Sequence, residues 1–450
     1  MHILPQLRKL EDKYGDWLVV VGVHSSKFPS EKETANVRNA VLRYGIEHPV
    51  INDREFSLWR QYGVRSWPSL IFVDPTGKVM GKHEGEFEFD VFDRLLDGMH
   101  SELTDAGLLE EAPLAFQLEA QRVPDRPLKF PGEIEFDTAT DRIFIADSNH
   151  HRIVVTGRSG LVETVIGTGA PGAEDGSFVD AAFLQPQGMA VHGDVLYVAD
   201  AGNHLVRAAN MATGTVETIA GTGEQALFRH EGGDPFSLPL SSPYDLAYDN
   251  GTLYIAMAGF HQLWAIDLET GSTRPYAGDG AEAIEDGPLL QAKLAQPYGM
   301  ATDGDLIYFI DSESSALRTA SLAGKDPEES VVTTLAGTGL FDFWDAEGGF
   351  DETVLQHPQG VAIDGSIAYV ADTYNNKIKA FDLKSKIVTT VAGRGDSGFL
   401  DGPALDSEFN EPAGLAMGRG ILYIADTNNH AIRMLDIRSG VVGTLEMAGL

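Results

Sequence analysis

The sequence predicts a multidomain chain: an incomplete α/β domain over residues 1–103, a linker over 104–127, and an all-β six-bladed β-propeller over 128–450. Three observations carry this. A segment of aromatic, apolar, small residue and usually Asp recurs six times. A proline-led apolar strand precedes each copy. The first hundred residues lack the repeat and alternate helical with strand-like patterns, which marks an α/β domain.

The repeat defines the second domain. Its copies lie at 144–150, 197–204, 254–261, 308–312, 369–375 and 423–430, with successive starts 53, 57, 54, 61 and 54 residues apart. Strands led by Pro186, Pro243, Pro297, Pro358 and Pro412 precede the last five, and Pro131-Gly132-Glu133-Ile134 precedes the first. After each copy comes a strand of period-two alternation, as at 216–221 and 388–393. Such alternation marks half-buried strands. Four short strands per unit make one propeller blade, and six blades close a ring without long free edges. The Gly-rich first strand of each blade packs closest to the axis.

These units resemble NHL repeats, whose core reads Tyr-Val-Ala-Asp-Thr-x-Asn-His-x-Ile. Tyr423-Ile424-Ala425-Asp426-Thr427-Asn428-Asn429-His430 is one match, and the resemblance spans 128–450. It implies a binding platform for proteins, RNA or small ligands. Some six-bladed relatives are enzymes, so the site needs its own argument.

The repeated Asp-x-x-Asn-His cluster suits metal ligation in residue type, but one metal site would not need five copies. The expectation is structural: Asp caps the turn through backbone amides, and Asn adopts positive φ. The channel mouth is the better place for function. Just before the strand prolines stand Gln185, Ser242, Gln296, His357 and Glu411, a single His where a zinc lyase would need several. No metal or other cofactor is expected. Just after them stand Gln187, Tyr244, Tyr298, Gln359 and Ala413. The Tyr and Gln of this ring suit stacking and hydrogen bonding with a peptide or small ligand, or else they simply fill the mouth. In the third blade Met257, Phe260 and His261 replace the Asp turn with apolar groups. They read either as an exposed contact patch or as drift with repacking. Acidic turns at 174–176, 285–287 and 401–402 read as solvated, with contact to a basic partner as the alternative.

Along the first domain the patterns predict helices at 4–14, 33–44, 56–62 and 89–99, a fully buried strand at 17–23, and a segment at 63–73 that leads through the turn Asp74-Pro75-Thr76-Gly77 into a strand at 78–80. Leu114-Ala115-Phe116-Gln117-Leu118 alternates like an outer strand. Val64-Arg65-Ser66-Trp67-Pro68-Ser69 resembles the cis-proline loop of the thioredoxin fold, which implies a cis bond at Trp67-Pro68. In that fold the loop faces a Cys-x-x-C pair. The 450 residues contain no cysteine. The family's first strand is also missing, so either the redox centre is lost or the true start lies upstream of Met1. A thioredoxin-like domain followed by six NHL units is similar to the NHL-repeat-containing protein 2 family, as are Gly22-Val23-His24-Ser25-Ser26-Lys27-Phe28-Pro29 and Asp311-Ser312-Glu313-Ser314-Ser315. Members of that family commonly continue into a small β domain beyond the propeller.

Composition narrows the function. Asp and Glu outnumber Lys and Arg by 67 to 33, and a net charge of −34 repels nucleic acid in bulk and anionic membranes. No apolar run approaches the ~20 residues needed to span a bilayer. The N-terminus does not read as a signal peptide, so a cytoplasmic location is expected. The expected function is non-catalytic: a scaffold binding a protein or small ligand at the propeller mouth, with a redox-dead thioredoxin-like domain. A thiol–disulfide oxidoreductase with its cysteines upstream is the alternative, and a propeller hydrolase or lyase the third reading.

Overall fold

A computed structural model describes residues 3–109, 112, 114–124, 126–322, 330–337, 339 and 344–450. The chain divides into two units, Met1–Asp125 and Arg126–Leu450. Among the described residues no helix is long and apolar enough to cross a membrane.

The first unit holds helices α1 (Ile3–Tyr14), α2 (Thr34–Arg43), α3 (Ser57–Gln61) and α4 (Phe89–Asp105). Leu7, Leu10 and Tyr14 line one face of α1, while Phe92, Leu96, Met99 and Leu103 recur along α4 at helical spacing. Apart from Leu103, these stripes meet in one apolar cluster with Phe87, Leu70 and Phe72. Strand Gly22–His24 pairs in parallel with Val50–Asn52, and Ser69–Val73 pairs antiparallel with Val79–Glu84.

Two expectations fail here. The strand foreseen at 17–23 is regular only from Gly22 and is not fully buried. Val19, Val21 and Val23 are 44, 47 and 46% exposed, because alternate residues of an extended segment face opposite sides. Residues 114–118 form no strand, and α4 runs to Asp105, into the stretch foreseen as linker. The Trp67–Pro68 bond is cis, and the Trp67 indole N–H donates to the Ser25 carbonyl at 2.8 Å.

The second unit is a ring of six four-stranded antiparallel blades. Their inner strands are Ile134–Asp137, Met189–His192, Pro243–Asp249, Pro297–Thr302, Val361–Asp364 and Pro412–Gly418. Four blades gain a fifth, two-residue strand on the outer edge from the loop leading into them, such as Gly176–Ser177 on Thr215–Ala220. The core is not central. Six apolar clusters sit one at each blade interface, so every blade buries both faces of its sheet. The cluster joining Ile134, Phe136 and Ile143 to Tyr423 and Ile432 closes the ring between the last blade and the first.

Candidate functional site

Every blade turns at the end of its second strand, and the repeated polar residues gather there. Asp200, Asp311, Asp372 and Asp426 are completely buried, each paired with a buried cation seven residues later. The partners are Arg207, Arg318, Lys379 and Arg433, at 2.9, 2.7, 2.9 and 2.8 Å. The same cations reach a second carboxylate in the loop leading into the blade: Asp175, Asp286, Asp345 and Asp401. Asn203, Asn375 and Asn429 donate their side-chain N–H to the buried Asp at 2.8–2.9 Å. Burial lifts Asp200 and Asp426 to about 6 despite their arginines, so both remain charged at neutral pH.

The turn is therefore structural, but by another device than the one foreseen. The Asp staples distant strands instead of capping its own turn, and Asn serves as a donor instead of taking positive φ. The left-handed residue is the next one: His151, His204, His261, Ser315, Asn376 and His430, with φ from 50 to 57°. These side chains tie each blade to the following one. His151, His204 and His430 accept through Nδ1 from the backbone N–H of Gln185, Ser242 and Phe130 at 3.0–3.1 Å. Asn376 accepts from Glu411 and Ser315 from His357. An accepting Nδ1 requires a neutral ring, and burial holds His430 down at about 4. The acidic turns are likewise corrected: Asp175, Asp286 and Asp401 bind the blade's own buried arginine.

Blade 3 departs from this scheme in a coordinated way. Met257 stands where the Asp would be and Trp264 where the arginine would be, both with no exposed surface. His230, from the loop leading in, packs edge-on against Trp264 and Phe260 at 5.1 and 5.6 Å. Met257 and Phe260 thus lie in the core and form no exposed patch, because an apolar pair replaces the ion pair inside the same slot. His261 is half-buried and donates from Nδ1 to the Ala295 carbonyl of blade 4.

At the axis the inner strands approach closely. A Cβ on Gly188 would fall 1.9 Å from Asp245 Oδ1, and one on Gly414 would fall 2.4 Å from Glu133 Oε2. Blades 2, 4 and 6 bond onward through Gly188, Gly299 and Gly414, whose N–H groups donate to the carbonyls of Tyr244, Gln359 and Gly132 at 2.8–3.0 Å. Blades 1 and 3 carry Glu133 and Asp245 in the glycine position. Asp245 accepts from the N–H of Leu246 and, across the blade gap, of Met300, at 2.8 and 2.5 Å. Burial pushes Asp245 up to about 7. Burial and the nearby Asp245 push Glu135 to about 8 and Glu133 well above the usual carboxylate range. Sequence reading passed over these hub acids because only their register with the glycines of other blades reveals them.

The foreseen mouth residues are partly brought together. Tyr244 and Tyr298 rings lie 3.8 Å apart at 42°, and Tyr298, His357 and Tyr374 continue the row with centroids at 6.2 and 4.6 Å. Tyr244, Gln187 and Gln359 are half-buried, whereas Tyr298 and Ala413 are buried. The Gln187 amide lies close against Gly132 of blade 1. Among the described residues no group of three or more His, Asp or Glu is arranged to hold a metal ion.

Comparison with known proteins agrees with this architecture. Residues 4–100 match the family described as thioredoxin-like domain, and 409–434 match the NHL repeat. Human NHL repeat-containing protein 2 is 37% identical over 476 residues, covering 99% of this chain and 66% of that protein. Protein SUPPRESSOR OF QUENCHING 1, chloroplastic, from Arabidopsis thaliana is 42% identical over 476 residues, covering 100% of this chain and 44% of that protein. The chain thus spans between about half and two thirds of the length of these curated relatives. A Bacteroides thetaiotaomicron structural genomics protein of unknown function shares the fold over 69% of this chain and 70% of its own, with a TM-score of 0.51 and 18% identity. With a thioredoxin-like region leading into six NHL blades and this identity along its whole length, the chain belongs to the NHL repeat-containing protein 2 family.

Proposed function

We propose that these 450 residues work as a non-catalytic binding scaffold, with the propeller mouth taking a peptide or small ligand. The observation that carries this reading is the row Tyr244–Tyr298–His357–Tyr374. The half-buried rings of Tyr244 and Tyr374, backed by the buried Tyr298 and His357, together with the half-buried amide of Gln359 offer stacking area and directional hydrogen bonding. The buried polar clusters of the repeat are consumed by staples between strands and blades, which favours binding over chemistry. No cysteine is present, so thiol chemistry does not reside in these residues, and the thioredoxin-like unit is assigned a structural or binding role. The cytoplasm is the proposed compartment.

Selection of a phage-displayed random peptide library on the full chain tests the mouth. Enriched peptides are expected to bind with dissociation constants raised about tenfold by Tyr244→Ala, as for a single stacking contact. Binding indifferent to Tyr244→Ala and Gln359→Ala would place the site elsewhere.

A further inference from the structure

The six inner strands, from their leading prolines to their hairpin turns, contain no Lys or Arg. The second position after the proline is glycine in blades 2, 4, 5 and 6, but an acid in blades 1 and 3, Glu133 and Asp245. The fourth position is Ala190, Ala247, Ala301, Ala362 and Ala416 in five blades and Glu135 in the first. Successive side chains of a strand alternate between its faces, so Glu133 and Glu135 share one face. Three carboxylates thus stand at positions that are glycine or alanine in the other blades.

Each of the three holds the backbone of a neighbouring blade. Asp245 accepts from the N–H of Met300 in blade 4 and of Met189 in blade 2, Glu133 from Leu415 in blade 6, and Glu135 from Val191 in blade 2. The glycine N–H groups of blades 2, 4 and 6 close the junctions 2–3, 4–5 and 6–1 by direct backbone bonds. At junctions 1–2 and 3–4 the carboxylates of Glu135 and Asp245 take that part. The charges acting on Glu133 are those of Asp245 and Glu135, and those acting on Glu135 are Asp245 and Asp137. Farther along the same strands stand His192, Asp249 and Asp364, with Asp303 just past the fourth, and His357 and Glu411 precede the fifth and sixth. An ionised carboxylate is the stronger acceptor, but here it gives up water and faces like charge. Burial comes first among the causes that hold the protons on all three.

We propose that Glu133, Glu135 and Asp245 form a proton-operated clamp on the ring, closed while they hold protons and loosened at junctions 1–2 and 3–4 when they ionise together. The sign follows from linkage. An acid that holds its proton more tightly in the closed ring than in the open one contributes stability that fades as pH rises through its closed-state value. Asp245 and Glu135 sit at about 7 and about 8, so the clamp loosens as pH rises through that window. Tyr244 directly precedes Asp245, and its carbonyl takes the Gly188 N–H, so the clamp and the aromatic row share a strand.

Hydrogen exchange of the full chain, measured by mass spectrometry and corrected for intrinsic rates, reads the clamp at the Val191 and Met300 amides. Between about pH 6 and about pH 8 their protection is expected to fall about tenfold or more, while the second strand of blade 5, 367–372, keeps its own. Glu135→Gln and Asp245→Asn keep an acceptor oxygen but cannot ionise, and should remove most of the fall at Val191 and Met300 respectively. Glu135→Ala, which installs the residue of the other five blades, should make exchange at Val191 independent of pH even if an amide variant folds poorly. Asp364→Asn and His192→Gln, at the far ends of two inner strands, should leave the profile unchanged. Protection in the unaltered chain that does not change with pH overturns the proposal. So does a fall that is equal in blade 5, that persists in Glu135→Gln and Asp245→Asn or in Glu135→Ala, or that vanishes with Asp364→Asn or His192→Gln.

Discussion

At the scale of single residues, the Asp–Arg pairs show how one structural slot accepts two kinds of chemistry. A fully buried ion pair is strongly destabilising when one member goes, because the other is left charged without compensation. Arg433→Ala strands both Asp426 and Asp401, and urea unfolding is expected to show a loss of about 3–5 kcal/mol. The double change Asp426→Met with Arg433→Trp copies the Met257/Trp264 pair of blade 3, so it should cost less than Arg433→Ala alone. If the double variant is the less stable of the two, the slots of blades 3 and 6 are not equivalent.

At the scale of elements, the inner strand has little tolerance. Its glycines sit where a neighbouring blade's backbone or carboxylate occupies the space of a side chain. Gly414→Ala brings a Cβ onto Glu133 and the Gly132 carbonyl, at 2.4 and 2.6 Å, and forces one blade to shift. A loss of about 1–3 kcal/mol is expected from overpacking, read as a lowered denaturant midpoint. Gly63→Ala, in open space but at φ +62°, should cost about 1 kcal/mol from backbone strain alone. The elements of the propeller were legible because period-two strands, each with an aromatic-led end that usually closes on Asp, recur six times over. The partners of Asp200 and Asp426 were not. Arg207 and Arg433 sit seven residues on, across a hairpin, and Asp175 and Asp401 lie more than thirty residues from those arginines in sequence. In the first unit the continuous apolar run at 17–23 looked like a buried strand, and only its three exposed valines reveal a face left open.

At the scale of the whole molecule, two groups of buried titratable side chains pull stability in opposite directions with pH. His430 has its folded-state pKa near 4, below the ordinary value near 6.5. The folded state then binds fewer protons between those values, and stability falls as pH drops through that window. Glu135, raised to about 8, holds a proton that the unfolded chain has released above about 4.5, so its contribution is lost as pH rises toward 8. His430→Asn, which keeps an acceptor as Asn376 does in blade 5, should flatten the acid side of a melting-temperature profile. Glu135→Gln should flatten the alkaline side, and unchanged slopes would show that other groups govern the titration. Trp264 adds a practical consequence. The propeller unit contains two tryptophans, one with no exposed surface and the other, Trp344, 74% exposed. Emission from the first should be blue and collisionally protected, and emission from the second red and open to iodide. With Trp17, Trp59 and Trp67 of the first unit replaced by phenylalanine, a single fluorescence trace can therefore separate the opening of blade 3 from events around Trp344.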